Sequence, residues 1–265
     1  MTQASRSGNK KGNVLVQERD RRLLRELSLF RIIDREQAKV VAGFHSTTRA
    51  NSRLLALTKA GLLKRFFIGT TAGGKKALYY LSSAGANLVQ VQNRSPRRRA
   101  DEVVVMDFFV NHQLGINEIY GMLKYHPIPI DGATFVRWEA FYQPIDIQRS
   151  LIPDGYVEIQ TPAKPIAAFL EYDLGHENLT VWKAKTRSYL RYAKSGEFER
   201  AFHQPQFRVL VVATSDRRVE AIRRAVGEIT DKIFWFCTMD ALRHEKFWSA
   251  SWLRPRSNQE PVPLL

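Results

Sequence analysis

The positive charge of this 265-residue chain is confined to its first hundred residues. Residues 1–100 carry 21 Lys and Arg against 5 Asp and Glu, whereas residues 101–265 carry 20 against 21. Charge that served solubility alone would not need to be segregated in this way. The pattern therefore predicts two domains, which suits the length of the chain, and it places contact with a polyanion on the first of them.

Membrane and disulfide-rich classes are disfavoured by the same sequence. No apolar run approaches the roughly 18 residues needed to span a bilayer, and the N-terminus lacks the apolar stretch of a secretory signal, so we expect a cytoplasmic protein with no membrane partner. Cys237 is the single cysteine, which excludes an internal disulfide and any zinc site built on cysteines. It lies in an apolar run, and we expect it to be buried.

Three helices, a β-hairpin and a further helix are predicted in the first domain. Apolar residues at helical spacing, short polar caps and β-like runs carry this interpretation. The predicted elements are helices over 18–30, 34–41 and 47–60, strands at 62–68 and 75–81, and a helix from Ser82 or Ser83. This order, together with the phrase LTKAGLLKRFF…ALYYLSSAGANLV, resembles the winged helix-turn-helix family over about residues 18–92.

That resemblance implies double-stranded DNA as the partner. In this family the third helix enters the major groove, where polar side chains near the start of that helix reach base edges. The β-hairpin, called the wing, contacts phosphates. The residues expected to contact bases are Thr47, Thr48, Arg49, Asn51, Ser52 and Arg53, and those expected to contact phosphates are Lys64, Arg65, Lys75 and Lys76. Any one of these cations taken singly is equally well explained as a solvated surface charge.

Strands and helices follow a second order in the rest of the chain. The predicted elements are a helix over 103–125, strands at 133–142, 151–159 and 165–173, a helix over 179–194, a strand at 207–213, a helix over 216–226 and a strand at 232–237. This α-β-β-β-α-β-α-β order resembles the PD-(D/E)xK nuclease fold. The predicted fold class is therefore α+β, with an N-terminal winged helix-turn-helix and a C-terminal α/β nuclease-like domain.

Acidic residues lie at the ends of two of these strands. Pro153-Asp154 opens the second strand, and Glu171-Tyr172-Asp173 ends the third. Carboxylates at the ends of adjacent strands can share a divalent ion, and Mg²⁺ prefers oxygen ligands. We therefore expect Asp154, Glu171 and Asp173 to hold Mg²⁺ or Mn²⁺ and to serve a metal-dependent DNA endonuclease or nickase.

The motif departs from the nuclease pattern at one position. The pattern has a lysine two residues after the acidic residue, where this chain has Asp173. Lys183 and Lys185 on the next helix are the candidate replacements, and Lys185-Thr-Arg-Ser-Tyr189 resembles the Q-x-x-x-Y motif of RecB-like members. Glu118 matches an additional acidic residue of some members. Three readings remain open: a competent metal site, a degenerate nuclease-like domain and an unrelated α/β domain with ordinary salt bridges.

The combination of both parts resembles the replication-relaxation family of plasmids and other bacterial mobile elements, over about residues 18–240. This resemblance implies a role in DNA replication, relaxation or transfer. A non-catalytic transcriptional regulator and an accessory subunit of a larger DNA-bound complex are the alternatives, and a homodimer is compatible with each. The predicted organisation is a disordered basic tail (1–14), the winged helix-turn-helix (15–93), an Arg-rich linker (94–100), the nuclease-like domain (101–253) and a disordered tail (254–265).

Overall fold

The structure, a computed structural model, describes residues 14–70, 73–94, 103–245, 247–256 and 262–264. It combines α-helices with two β-sheets, which confirms the predicted mixed class. The chain divides into two compact units, Met1–Asn117 and Glu118–Leu265. The predicted boundary falls earlier, in the 94–100 segment. Residues 95–100 of that segment and residues 1–13 of the predicted tail lie outside the described residues.

The first unit contains a small antiparallel sheet with the strand order β1-β3-β2 and four helices that precede residue 90. Its elements are α1 (Glu18–Phe30), β1 (Ile33–Asp34), α2 (Arg35–Ala42), α3 (Thr47–Lys59), β2 (Leu63–Gly69), β3 (Lys75–Leu81) and α4 (Ser83–Val89). The order agrees with the sequence prediction except for β1. That two-residue strand is not among the elements predicted from the sequence.

Short polar side chains start three of these helices. Asp34, Ser46 and Ser82 each accept a hydrogen bond from the backbone N–H three residues later, at 2.8, 3.2 and 2.9 Å. Such caps satisfy donors that the first helical turn leaves unpaired. Gly85 follows the last cap, and a Cβ atom there would lie 2.2 Å from the carbonyl oxygen of Leu62. The start of α4 therefore packs directly against the segment between α3 and β2.

Five strands and five helices make up the chain from residue 103 onward, within the described residues. They are α5 (Val103–Tyr125), β4 (Thr134–Glu139), β5 (Gly155–Gln160), β6 (Ile166–Asp173), α6 (Leu179–Lys194), α7 (Glu197–Phe202), β7 (Arg208–Ala213), α8 (Asp216–Gly227), β8 (Phe234–Thr238) and α9 (Met239–Glu245). The division between the units falls inside α5. No helix of the described ranges combines the length and the apolar content needed to cross a membrane.

The second sheet has the strand order β4-β5-β6-β7-β8. Strands β4, β5 and β6 pair in antiparallel fashion, whereas β6, β7 and β8 run parallel. The carboxyl ends of the three parallel strands therefore lie at one edge of the sheet, here called the carboxyl edge. Gly155 at the start of β5 pairs with Leu170 near the end of β6, so β5 begins at that edge as well. The opposite edge is called the amino edge.

Aromatic side chains fill the core on the α6 side of this sheet. Phe169 on β6 is fully buried, and its ring contacts several other rings at centroid distances of 4.9–6.2 Å, including those of Tyr156, Tyr189, Phe198 and Phe207. Phe198 lies on α7, which the sequence analysis did not predict. Cys237 on β8 is buried, as predicted.

The prediction of a disordered tail is wrong for the described part of that tail. Val262 pairs with Trp252 in an antiparallel bridge, and Trp252 is fully buried. Leu264 is also buried, and its backbone carbonyl accepts a hydrogen bond from Arg208. Apolar side chains in an otherwise polar tail thus add to the core of the second unit.

Candidate functional site

The N-terminal half of α3 presents a polar surface to solvent. Thr47, Thr48, Arg49, Asn51 and Ser52 are all exposed. The opposite side of the helix is apolar and buried, through Ala50, Leu54 and Leu57. The helix carries no acidic residue, so nothing within α3 would repel a polyanion. Five of the six predicted base-contacting residues therefore share an exposed stretch of helix.

Arg53, the sixth, has a different environment. Its guanidinium donates to both carboxylate oxygens of Asp20 on α1, one of them at 2.8 Å, and to the carbonyl of Leu15 at 2.6 Å. Asp20 is fully buried. The hydrogen bond to Asp20 raises the pKa of Arg53 despite partial burial. Arg53 is thus committed to joining α3 to α1, and the structure does not place it with the exposed residues of that helix.

Basic residues of the β2–β3 hairpin divide between its two faces. The register pairs Gly69 with Lys75 and Arg65 with Tyr79, so alternation along the strands puts Arg65 and Lys75 on one face and Lys64 and Lys76 on the other. The Arg65 guanidinium lies 4.9 Å from the centroid of the Phe67 ring. The Lys76 ammonium forms an ion pair with Asp34 at 2.6 Å. Of the four predicted phosphate contacts, Lys64, Arg65 and Lys75 are exposed.

The acidic residues Asp154 and Glu171 meet at the carboxyl edge of the second sheet. Asp154 directly precedes β5, where its backbone N–H donates to the carbonyl of Leu170 at 3.1 Å. Its carboxylate accepts a hydrogen bond from the backbone N–H of Tyr172 at 2.7 Å. Glu171 lies between those two residues on β6. The structure therefore brings together two of the three predicted metal ligands.

Glu171 is fully buried and holds two partners from α6. The Lys185 ammonium donates to one of its carboxylate oxygens at 2.8 Å, and the Tyr189 hydroxyl donates to the other at 2.5 Å. Lys185 also donates to Glu177, at 3.1 and 3.3 Å. Lys185 thus places a positive charge beside Asp154 and Glu171, here called the acidic pair. It lies on α6, whereas the nuclease pattern has its lysine on the strand, at the position of Asp173.

Burial dominates the electrostatics of this cluster. Loss of hydration raises the pKa of Glu171 to about 7, with the charge of Lys185 opposing the rise and that of Asp154 adding to it. Burial would lower the pKa of Lys185, but the Glu171 and Glu177 carboxylates outweigh it and raise that pKa. Both groups therefore have a pKa above its ordinary value, Glu171 through burial and Lys185 through the two carboxylates beside it.

Asp173, the third predicted ligand, is occupied by other groups. The Arg218 guanidinium donates to its two carboxylate oxygens at 2.7 and 2.8 Å, the Trp182 indole N–H donates at 2.8 Å, and the backbone N–H of Gly175 donates at 2.6 Å. Burial alone would raise the pKa of Asp173, but the hydrogen bonds from Arg218 and Trp182 lower it. This geometry makes Asp173 an anchor between β6, α6 and α8.

Two other predicted catalytic residues form ion pairs elsewhere. The Lys183 ammonium lies 2.5 Å from the carboxylate of Glu228, and both groups are solvent-accessible. Glu118 forms a bidentate pair with Arg243 on α9, at 2.6 and 2.7 Å. The structure therefore does not bring Lys183 or Glu118 into hydrogen-bonding contact with Glu171.

The acidic pair, Asp154 and Glu171, suits a divalent cation that takes only one or two ligands from the protein. Among the described residues, no group of three or more His, Cys, Asp and Glu side chains is arranged to hold a metal ion. Mg²⁺, however, is commonly bound through one or two carboxylates, with water and substrate phosphates completing the shell. The Glu171 carboxylate has about four lone-pair sites and accepts the hydrogen bonds of Lys185 and Tyr189, one on each oxygen. The residues suit a cation held largely by water and phosphate, and not a closed protein site.

Sequence reasoning missed two members of this region, Arg218 and Glu177. Arg218 lies in the first turn of α8, which starts at the carboxyl end of β7 and so faces the same edge. Its position after the buried strand was a usable signal, but its pairing with Asp173 spans 45 residues of sequence. Glu177 lies in the loop between β6 and α6, and no pattern in the sequence marked it.

Comparison with known proteins gives a family match. A family model described as replication-relaxation matches residues 24–204, well over half of the chain. The matched range contains α3, the β2–β3 hairpin and the acidic pair together with Lys185. No curated protein and no solved structure matches significantly.

Proposed function

Because that model covers well over half of its residues, this chain belongs to the replication-relaxation family, and we propose that it is a cytoplasmic DNA-binding protein of a bacterial plasmid or other mobile element, acting in DNA replication, relaxation or transfer. Its first unit is a winged helix-turn-helix that binds duplex DNA. Its second unit is a PD-(D/E)xK nuclease-like domain. The first assignment rests on the exposed residues of α3 and of the β2–β3 hairpin, and the second rests on Asp154, Glu171 and Lys185 at the carboxyl edge.

The exposed polar stretch of α3 is the observation that carries DNA binding. Arg suits the acceptor edge of guanine and Asn suits adenine, so Arg49 and Asn51 are assigned to base contacts in the major groove. Thr47, Thr48 and Ser52 complete this surface. Lys64, Arg65 and Lys75 are assigned to phosphates, which give affinity without sequence information.

Binding of a selected duplex by the full chain tests this assignment. Arg49→Ala is expected to weaken binding to the preferred site by roughly 1–3 kcal/mol while changing binding to unrelated duplexes little. Arg25→Ala is the matched control, because it removes one exposed arginine of the same unit from α1. If both variants bind the preferred site with the affinity of the wild type, the assignment of α3 to the DNA interface is wrong.

A metal-dependent nicking activity is the proposal for the second unit. The observation that favours it is the contact of Lys185 with Glu171 beside Asp154 at the carboxyl edge. Mg²⁺ or Mn²⁺ held by the two carboxylates would polarise a phosphodiester and activate a water molecule. Lys185 supplies positive charge next to the place where the phosphate would gain negative charge. Tyr189 holds the Glu171 carboxylate in one orientation.

Incubation of supercoiled plasmid with Mg²⁺ or Mn²⁺ tests this activity. Metal-dependent nicking by the wild type is expected to be lost in Asp154→Ala and Glu171→Ala. Glu199→Ala is the matched control, since Glu199 is an exposed carboxylate of α7, and it should cleave like the wild type. Cleavage that persists in both site variants would reject these residues as ligands.

A non-catalytic role in a larger DNA-bound complex or as a homodimeric regulator is the second candidate. It is favoured by the contacts of the Lys185 ammonium with two carboxylates and by the commitment of Asp173 to Arg218. Under this proposal the Asp154–Glu171–Lys185 cluster stabilises a domain that binds DNA or a protein partner. Absence of cleavage by pure wild type that still binds DNA tightly would select it.

A further inference from the structure

A cavity of about 340 Å³ lies at the amino edge of the second sheet, away from the acidic pair. Its walls come from the starts of β6 and β7, from β8, from the segments that precede these strands and from Arg254, which follows α9. They include Ile166, Arg208 and Trp235. The parallel order of the three strands explains the location, because their amino ends share this edge.

Four cationic side chains line the cavity: Lys164, Arg208, Lys232 and Arg254. Within the described part of the chain, none of the four forms an ion pair with an Asp or Glu side chain. The two lysines are exposed, whereas the two arginines are half-buried. Burial lowers the pKa of Arg208, and the nearby charge of Arg254 adds to this effect. An anion in the cavity would relieve the repulsion between these like charges.

The two guanidinium groups are held in place without an ion pair to any described residue, although the charge of Asp231 partly opposes the fall that burial causes in the pKa of Arg254. The guanidinium carbon of Arg208 lies 4.7 Å from the centroid of the Trp235 ring, and that of Arg254 lies 4.5 Å from the same centroid. Arg254 donates to the backbone carbonyls of Phe234 and Asp231 at 2.9 and 3.1 Å, and Arg208 donates to that of Leu264. A fixed, planar donor group is well suited to bidentate recognition of phosphate.

Apart from Gln206, the other residues that line the cavity are apolar or aromatic, and this narrows the class of ligand. Pro165, Phe207 and Ile233 contribute walls next to the cations. The volume falls at the lower end of the range of about 300–1,000 Å³ that is typical of small-molecule sites. An inorganic anion would leave most of this space and the apolar walls unused. A phosphate attached to a nucleoside uses both.

We propose that this cavity binds a nucleoside phosphate, either as a free nucleotide or as the phosphorylated end of a DNA strand. The proposal concerns the amino edge and is independent of the acidic pair and of α3. It gives the second unit a phosphate-binding site whether or not that unit cleaves DNA.

Binding to the full chain by isothermal titration calorimetry tests the proposal, with thymidine 5′-monophosphate, thymidine and inorganic phosphate as probes. The monophosphate is expected to bind at least about tenfold more tightly than either other probe, because it alone engages both the cations and the apolar walls. The double variant Lys164→Gln/Lys232→Gln should weaken this binding by about tenfold, since both lysines are exposed and their replacement preserves the fold.

Arg217→Gln/Lys194→Gln is the matched control, because it removes two exposed cations of the same unit. It is expected to bind the monophosphate within about twofold of the wild type. No measurable binding of the monophosphate, equal binding of thymidine, equal binding of inorganic phosphate, or unchanged binding by the lysine double variant would each overturn the proposal.

A trinucleotide with and without a 5′-phosphate distinguishes the two possible ligands, a free nucleotide and the phosphorylated end of a DNA strand. Tighter binding of the phosphorylated trinucleotide than of the monophosphate, lost in the lysine double variant, would identify a strand end as the ligand. Tighter binding of the monophosphate would identify a free nucleotide.

Discussion

Arg53 on α3 and Asp20 on α1 form a bidentate ion pair in which the carboxylate is fully buried. Breaking a buried pair leaves an uncompensated charge, so Arg53→Ala should lower the free energy of unfolding by roughly 3–5 kcal/mol. Arg49→Ala is the control, because Arg49 is exposed on the same helix, and it should change stability by less than about 0.5 kcal/mol. Urea denaturation of the full chain measures both. Equal stability of the two variants would contradict the structural role of Arg53.

The raised pKa of Glu171 predicts a pH dependence of stability with a definite sign. Between the ordinary value of 4.5 and about 7, the folded protein keeps the Glu171 proton that the unfolded chain releases. The free energy of unfolding of the wild type therefore falls as pH rises through this window, by at most about 1.4 kcal/mol per pH unit from this group.

Glu171→Gln removes this dependence. The free energy of unfolding of the variant minus that of the wild type should rise from pH 5 to pH 7 and then become constant. Urea denaturation in the presence of a chelator measures the difference, in which contributions from groups common to both proteins cancel. A difference that is flat or falls over this range would show that Glu171 stays ionised in the folded protein.

Gly155 is predicted to tolerate no side chain. Gly155 directly follows Asp154 in the sequence, and a Cβ atom at Gly155 would lie 2.3 Å from the Trp138 ring. Gly155→Ala should therefore destabilise the protein by about 1–3 kcal/mol through overpacking. Gly121→Ala on α5 is the matched control, because an added Cβ meets nothing within 4 Å there, and alanine should stabilise the helix by roughly 0.5–1 kcal/mol. Opposite shifts of the thermal midpoint are expected, and shifts of the same sign would count against the packing of Trp138 on Gly155.

The sequence was most informative where local pattern decides the outcome. Helix α6 was predicted at its observed bounds, because the spacing of the residues along its buried face is a local feature. The meeting of Asp154 with Glu171 also followed from local pattern, since it needs only that neighbouring strands carry the acids at the same edge.

Pairings across the fold could not be predicted in the same way. Arg53 follows Arg49 by one helical turn, and nothing in the local pattern separates an arginine that binds Asp20 from one that faces solvent. The position of Asp173 at the end of a strand predicts a metal ligand, and the local pattern does not reveal its partner Arg218, which lies 45 residues further along the chain. Helix α7 has six residues, which are too few to establish a periodicity.

The salt dependence of duplex binding by the full chain tests the central claim most directly. The logarithm of the affinity should fall linearly with the logarithm of the salt concentration, with a slope of about −0.9 for each phosphate contacted. The triple variant Lys64→Gln/Arg65→Gln/Lys75→Gln should reduce the steepness by roughly 2.7, whereas Arg187→Gln/Lys194→Gln/Arg217→Gln, which removes three exposed cations of the second unit, should leave it unchanged. Wild-type affinity that does not respond to salt, or a hairpin variant with the wild-type slope, would contradict the assignment of DNA binding to the first unit.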